Sequence, residues 1–221
     1  MTVCGADRRL PTLAAITVGA VTGYLAGSVS FSQVVGRRAA PGEDLHVTTI
    51  EVRETGTTVE FHGITPTSVK EHAGGRAMMA SIALEAVKAA APTLVMRIAL
   101  PGTGAAPAAA SSAVLGHVFP AWNGFRGGYG MSPMIGGLAV LDPPGLVVTT
   151  GVVSAGIGAA RDRRLMMIWP VTVPVWGAFR HRRDLVAFGL AANVVYWARL
   201  VPELRRSLRS VLTVRRRTTA T

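Results

Sequence analysis

The chain has 221 residues, 49% of them hydrophobic, and its 23 basic and 12 acidic side chains leave a formal net charge of +11. Its apolar residues come in long blocks rather than at amphipathic spacing, which excludes an ordinary soluble core and fits helices that cross a hydrocarbon layer of roughly 30 Å. A single cysteine, Cys4, excludes an intrachain disulfide and a cysteine zinc cluster, and five scattered histidines show no ligand spacing, so neither a metal nor a cofactor is expected.

The first block runs from Leu10 to Val35, behind Arg8 and Arg9. It is long and lacks an A-x-A cleavage site, so it reads as an uncleaved membrane helix. Gly19, Gly23 and Gly27 recur every four residues in it, a pattern that lets another helix approach closely. Gly36 to Gly75 is the one long polar stretch. Val47 to Arg53 alternates like a strand, and the mix of β-branched residues and glycine argues for an ordered, functional connection.

The second block, Arg76 to Leu100, carries Glu85 and Lys88 at i,i+3 on one helix face. Charges at membrane depth face a bundle interior or a wet cavity, so the two residues form an interior salt bridge or line a substrate site. The third block spans Ala105 to Trp122, the fourth Tyr129 to Leu141, the fifth Leu146 to Ala160, the short sixth Leu165 to Phe179 and the seventh Leu185 to Val201. A basic tail, Arg205 to Arg217, follows. The expectation is an all-α, polytopic membrane protein of about seven transmembrane helices, with six as the alternative count. Residues 1–221 form a single integral-membrane domain, and 205–221 a cytoplasmic tail.

The basic residues are almost all arginine, flank the apolar blocks and have no aromatic platform among them. They read as positive-inside loops rather than as a nucleic-acid surface, so no nucleic-acid partner is expected. With the tail cytoplasmic, the loops at 36–75, 122–129 and 161–164 share its side. The cluster Arg180-His181-Arg182-Arg183 falls on the other side and does not fit that rule.

The stretch Gly116 to Gly130, GHVFPAWNGFRGGYG, ends the third block in a glycine-rich loop with one arginine. Glycine admits positive φ and close backbone approach to a ligand. Successive N–H groups form anion-binding nests, and the arginine fork matches phosphate oxygens in pairs. The polar stretch repeats the recipe with Arg53 before Gly56, Thr57 and Thr58. Two such loops on one face suit two anionic groups or one bulky phosphate ester; the plain alternative is a surface turn touching lipid headgroups. His117 alone reads as a satisfied interfacial residue sooner than as a catalyst. There is no P-loop, GxSxG elbow or dinucleotide fingerprint.

Gly116-His117-x-Phe119-Pro120 followed by Phe125-Arg126-Gly127-Gly128-x-Gly130 resembles the second signature of the PlsY-type acyl-phosphate:glycerol-3-phosphate acyltransferase family. Gly27-Ser28-Val29-Ser30-Phe31 is similar to that family's Gly-Ser-Ile-Pro-Phe, and Val52-Arg53-Glu54-Thr55-Gly56-Thr57 to its Ile-Arg-Glu-Val-Gly-Ser. Leu84-Glu85-Ala86-Val87-Lys88 is similar to its Leu-Asp-Leu-Leu-Lys. The resemblance implies a seven-helix enzyme of phospholipid synthesis in the bacterial inner membrane, and the basic tail puts its C-terminus in the cytoplasm. Its substrates would be acyl phosphate and glycerol 3-phosphate, its product lysophosphatidic acid, and it would need no cofactor. Carried onto this chain, it implies Ser28, Arg53, His117 and Arg126 as catalytic residues. Gly56, Thr57, Lys88, Gly127, Gly128 and Asn193 would bind substrate, and the acyl tail would lie among membrane lipids.

The chain also departs from the pattern. Thr58-Val59 stands where the family has Gly-Asn, Tyr129 replaces its second loop lysine, and Asn193-Val194 is all that matches its His-Arg-x-Asn-Ile stretch. The alternatives are therefore a divergent relative acting as a binding or accessory subunit beside a membrane-protein partner, or an enzyme with another phosphorylated acceptor. A transporter of this length often shows paired halves, and none is visible.

Overall fold

A computed structural model describes residues 12–45, 47–52 and 57–218. Eight α-helices and one β-hairpin make up the described elements, with two short 3-10 turns between them. All seven apolar blocks are largely helical, and the protein is a helical membrane protein, as its composition implies.

The first block is not one helix but two. α1 (Thr12–Gly27) ends before Ser28, and α2 (Phe31–Ala39) begins after it. The cause is local: the Ser30 side chain accepts from the Gln33 N–H at 3.4 Å, and serine favours such a cap over a helix interior.

The polar stretch holds β1 (Val47–Val52) and β2 (Thr57–His62), an antiparallel pair in which Val47 faces His62 and Val52 faces Thr57. The expected strand is therefore present. Arg53 and Gly56 lie outside the described residues. α3 (Pro66–Ala99) opens on a capping box formed by Thr65 and Ser68, and Gly74 (φ +81°) interrupts it just before the apolar block begins.

The glycine stripe of α1 meets α4 (Ala105–Val118) along its length. Gly19 lies against Ala105, Gly23 against Ala109 and Gly27 against Ala113. A β-carbon on Gly23 would come within 2.8 Å of the Ala109 backbone, so only glycine permits this approach. Because both series rise together, α1 and α4 run parallel. α3 returns from the end where they finish.

α5 (Met131–Leu141) lies on α3, with Gly136 against the Ala86 backbone. α6 (Pro143–Ala160), α7 (Trp169–Phe179) and α8 (Arg183–Thr218) complete the bundle. The tail does not separate from the seventh block: α8 continues through Pro202 to Thr218.

The burial pattern is that of a membrane protein. Ala105, Ala109, Ala110 and Ala113 are fully buried, whereas Leu13, Ile98, Val147 and Val194 are at least 70% exposed. A seam of small residues between the helices, with large apolar side chains left exposed on their outer faces, suits a lipid solvent. Among the described residues, four helical stretches are long and apolar enough to cross a membrane: Thr12–Ala39, Pro66–Ala99, Pro143–Ala160 and Arg183–Arg206. α7 has 11 residues, about 16 Å of helix, so by itself it spans only about half a hydrocarbon thickness.

Candidate active site

Polar side chains are brought together at the end of the bundle where α1 and α4 finish. The α1–α2 break lies over the middle of α3, and its consequence is electrostatic. The first N–H groups of a helix have no partner within it. In α2 one of them, on Ser32, donates to Glu85 Oε1 at 2.8 Å, and the Ser32 hydroxyl donates to the same oxygen at 3.1 Å. Glu85 thereby caps α2, a favoured place for an anion.

The other Glu85 oxygen pairs with Lys88 and lies 3.1 Å from His117 Nδ1. Lys88 Nζ also donates to the Val29 carbonyl at 2.5 Å and lies 3.1 Å from His117 Nδ1. Glu85 is fully buried, and Lys88 and His117 are each only 6% exposed. The helix face expected for Glu85 and Lys88 is thus an interior pair. His117 is its third member, and two groups compete for one ring nitrogen.

The opposite nitrogen looks the other way. A β-carbon on Gly128 would sit 2.5 Å from His117 Nε2, so the ring edge abuts the glycine-rich loop. That loop folds back on the end of α4. Gly127 N–H donates to the Val118 carbonyl at 3.2 Å, and Phe125 (φ +60°) follows Gly124 (φ +58°) to make the turn. Gly127 and Gly128 are buried, while Arg126 is exposed at the rim. Ser28 is buried beside them. Its hydroxyl donates to the Tyr24 carbonyl at 2.9 Å and accepts from the Ala121 N–H at 3.4 Å, which ties the α1 terminus to the loop.

The residue after the two glycines, Tyr129, donates to the Glu203 carboxylate from α8. Arg199 pairs with Glu203 at 3.1 Å and also lies against Gly63, just after β2. Gly63 in turn abuts the Gly127 carbonyl. The polar stretch and the glycine-rich loop therefore meet, and α8 braces both.

Of the residues singled out from sequence, Ser28, Lys88, His117, Gly127 and Gly128 converge, and Arg126 stands at their edge. Thr57 begins β2, whose far end leads through Gly63 to the same place. Asn193 does not join them. Its amide donates to the Pro170 and Gly189 carbonyls at 2.7 Å each and accepts from Trp197, locking α7 to α8. It lies ten residues before Glu203, about 15 Å along α8. Ser32, Tyr129 as a donor, Arg199 and Glu203 were not foreseen. Glu203 had a signal: it is the one acid between Val201 and the basic tail. Among the described residues no group of His, Cys, Asp and Glu is placed to hold a metal ion.

The arrangement is a buried, charge-compensated platform beneath a glycine-rich, arginine-edged surface. Backbone N–H groups and exposed guanidinium suit phosphate oxygens. The platform holds a histidine edge against the loop.

Residues 17–210 match the family model described as glycerol-3-phosphate acyltransferase. A glycerol-3-phosphate acyltransferase of Anaeromyxobacter sp. (strain K) is 32% identical over 204 residues, covering 89% of this chain and 94% of that protein. The crystal structure of PlsY (YgiH), an integral membrane glycerol 3-phosphate acyltransferase, in its glycerol 3-phosphate form superposes with a TM-score of 0.70 at 18% identity. That match covers 90% of this chain and 92% of that one. Its lysophosphatidic acid form gives 0.66 at 19% identity, over 92% and 93% of the two chains. The chain belongs to the glycerol-3-phosphate acyltransferase family.

Proposed function

We propose that this protein is a membrane acyltransferase that moves an acyl chain from acyl phosphate to the 1-hydroxyl of glycerol 3-phosphate. In this reading the hydroxyl oxygen forms the new ester bond, and the bond between the acyl carbon and the phosphate oxygen breaks. Inorganic phosphate leaves with the hydroxyl proton, and the remaining product is lysophosphatidic acid. Acyl phosphate is already activated, so the protein's task is to hold two anions and stabilise developing charge. Arg126 with the Gly127–Gly128 backbone would hold one phosphate, and Arg53 with Gly56 and Thr57 the other. His117 would present Nε2 toward the reacting groups. Lys88 and Ser28 act through position, the first holding His117 and the second the loop. Asn193 would serve by locking α7 to α8, not by touching substrate. The acyl tail would lie in lipid between helices, and the site would face the cytoplasm with the C-terminus, in the bacterial inner membrane.

The observation that carries this reading is the buried Glu85–Lys88–His117 network set directly beneath the glycine-rich loop. The test is turnover by the purified protein in lipid, given acyl phosphate and glycerol 3-phosphate, with phosphate release and lysophosphatidic acid followed together. Arg126→Ala should raise a Michaelis constant about thirtyfold, the equivalent of about 2 kcal/mol for a charge-assisted hydrogen bond. Because Arg126 is exposed, the variant should melt with the parent. No turnover from a folded parent would instead make the chain a binding or accessory subunit.

A further inference from the structure

Four basic side chains, Arg180 to Arg183, stand at the end of the bundle opposite the candidate active site. Two of them are explained by their neighbours. Arg180 follows the last turn of α7, where a cation complements the helix dipole, and lies 5.8 Å over the Trp176 ring. Arg182 makes a two-pronged pair with Asp184, at 2.9 and 2.6 Å.

The other two are not explained in this way. His181 and Arg183 are exposed, and among the described residues neither enters an ion pair. Arg183 is the first residue of α8 and sits at the positive end of that helix's dipole, where a cation is disfavoured. Loop bonds fix the turn that carries them: His181 N–H donates to the Ala178 carbonyl at 3.0 Å, and the intervening Arg182 N–H to the Gly177 carbonyl at 2.9 Å.

His181, Arg182 and Arg183 form the mouth of a cavity of about 550 Å³ between α7 and α8. Away from the mouth its lining becomes small and apolar, with Gly177, Ala187 and Leu190. Gly177 is obligatory there, since a β-carbon would lie 2.8 Å from the Val186 nitrogen. Leu190 is 54% exposed, so the groove opens toward the hydrocarbon layer. A basic mouth over an apolar, lipid-facing groove fits an amphipathic anion better than a free one.

We propose that this groove binds one anionic phospholipid, with its headgroup phosphate against His181 and Arg183 and an acyl chain along Gly177, Ala187 and Leu190. The site is separate from the glycine-rich loop. Arg183 and Glu203 stand twenty residues apart on α8, about 30 Å.

The test titrates the purified full chain in detergent with phosphatidylglycerol, phosphatidylcholine of the same chain length, or inorganic phosphate, and reads melting temperature. Phosphatidylglycerol alone should raise it saturably. His181→Gln with Arg183→Gln should weaken the half-saturation point about tenfold or more, because charge-assisted bonds are lost, and should melt with the parent when lipid is absent. Ala187→Phe fills the groove and keeps the charges; it should weaken the lipid effect as well, and it decides the matter if the double variant is unstable. Equal effects of the two lipids overturn the proposal, as does unchanged phosphatidylglycerol binding in Ala187→Phe. An equal effect of inorganic phosphate would leave only a free-anion site and would overturn the lipid assignment.

Discussion

Replacing Glu85 by alanine should be among the most damaging single changes in the bundle. The carboxylate is fully buried and accepts from the Ser32 N–H and hydroxyl while pairing with Lys88. Its removal strands the Lys88 ammonium with only the Val29 carbonyl and a histidine nitrogen. Breaking a buried pair by deleting one partner costs about 3–5 kcal/mol, and the orphaned Ser32 N–H adds about 1 kcal/mol. For a chain of this length ~1 kcal/mol moves the melting temperature by roughly 2–4 °C, so the drop should be on the order of 10 °C or more. Thermal unfolding in detergent, followed by tryptophan fluorescence, reads it. Lys88→Met added to Glu85→Ala removes the stranded charge and should recover much of the loss. A single variant melting within about 2 °C of the parent, or a double variant with the two losses simply added, would refute the buried-pair argument. If stability returns in the double variant and turnover does not, the pair also serves the chemistry.

Three further outcomes follow from particular contacts. Gly23→Leu should lower stability by about 1–3 kcal/mol or prevent assembly, because its side chain meets the Ala109 backbone; unfolding in detergent measures it. Gly128→Ala should reduce kcat by about tenfold or more and cost about 1–3 kcal/mol of stability, since its methyl group displaces the His117 Nε2 edge by a substantial fraction of an ångström. Asn193→Leu should cost about 1–3 kcal/mol of stability by leaving the Pro170 carbonyl unpaired. Its Michaelis constants should stay within about twofold of the parent if the amide is spent wholly on the α7–α8 contact.

Much of the architecture could be read from the chain because its determinants are local. The four-residue glycine spacing of α1 predicted a close helix partner, and the i,i+3 spacing of Glu85 and Lys88 predicted a shared face. The alternation from Val47 predicted a strand. The features that were not foreseen depend on partners distant in sequence. Nothing near Ser32 says that its N–H will meet Glu85, because that contact requires α2 and α3 to be packed. Tyr129 reads as a lost lysine until α8 brings Glu203 beside it. Asn193 shows the converse: a short family-like pattern suggested a ligand, whereas its amide is occupied by two backbone carbonyls. The helix break at Ser28–Ser30 was masked by the continuous apolarity around it, although the serines that cause it were visible.

The parallel run of α1 and α4 bears on how the molecule is made. Consecutive membrane helices pair most readily as antiparallel hairpins, which can form as each emerges. α1 cannot satisfy its glycine stripe in that way. Its partner arrives only after α3 has been inserted, and the Tyr24 hydroxyl must then find the Phe119 carbonyl, 95 residues along the chain. Until then α1 stands in the bilayer with an open groove, and Glu85 and Lys88 lack His117. Biogenesis therefore has a waiting stage before α4 is inserted, when these charges are most exposed to a wrong neighbour or to quality-control proteases. Substitutions along the glycine stripe should accordingly be seen first as loss of protein from the membrane, before any change in catalysis is measurable.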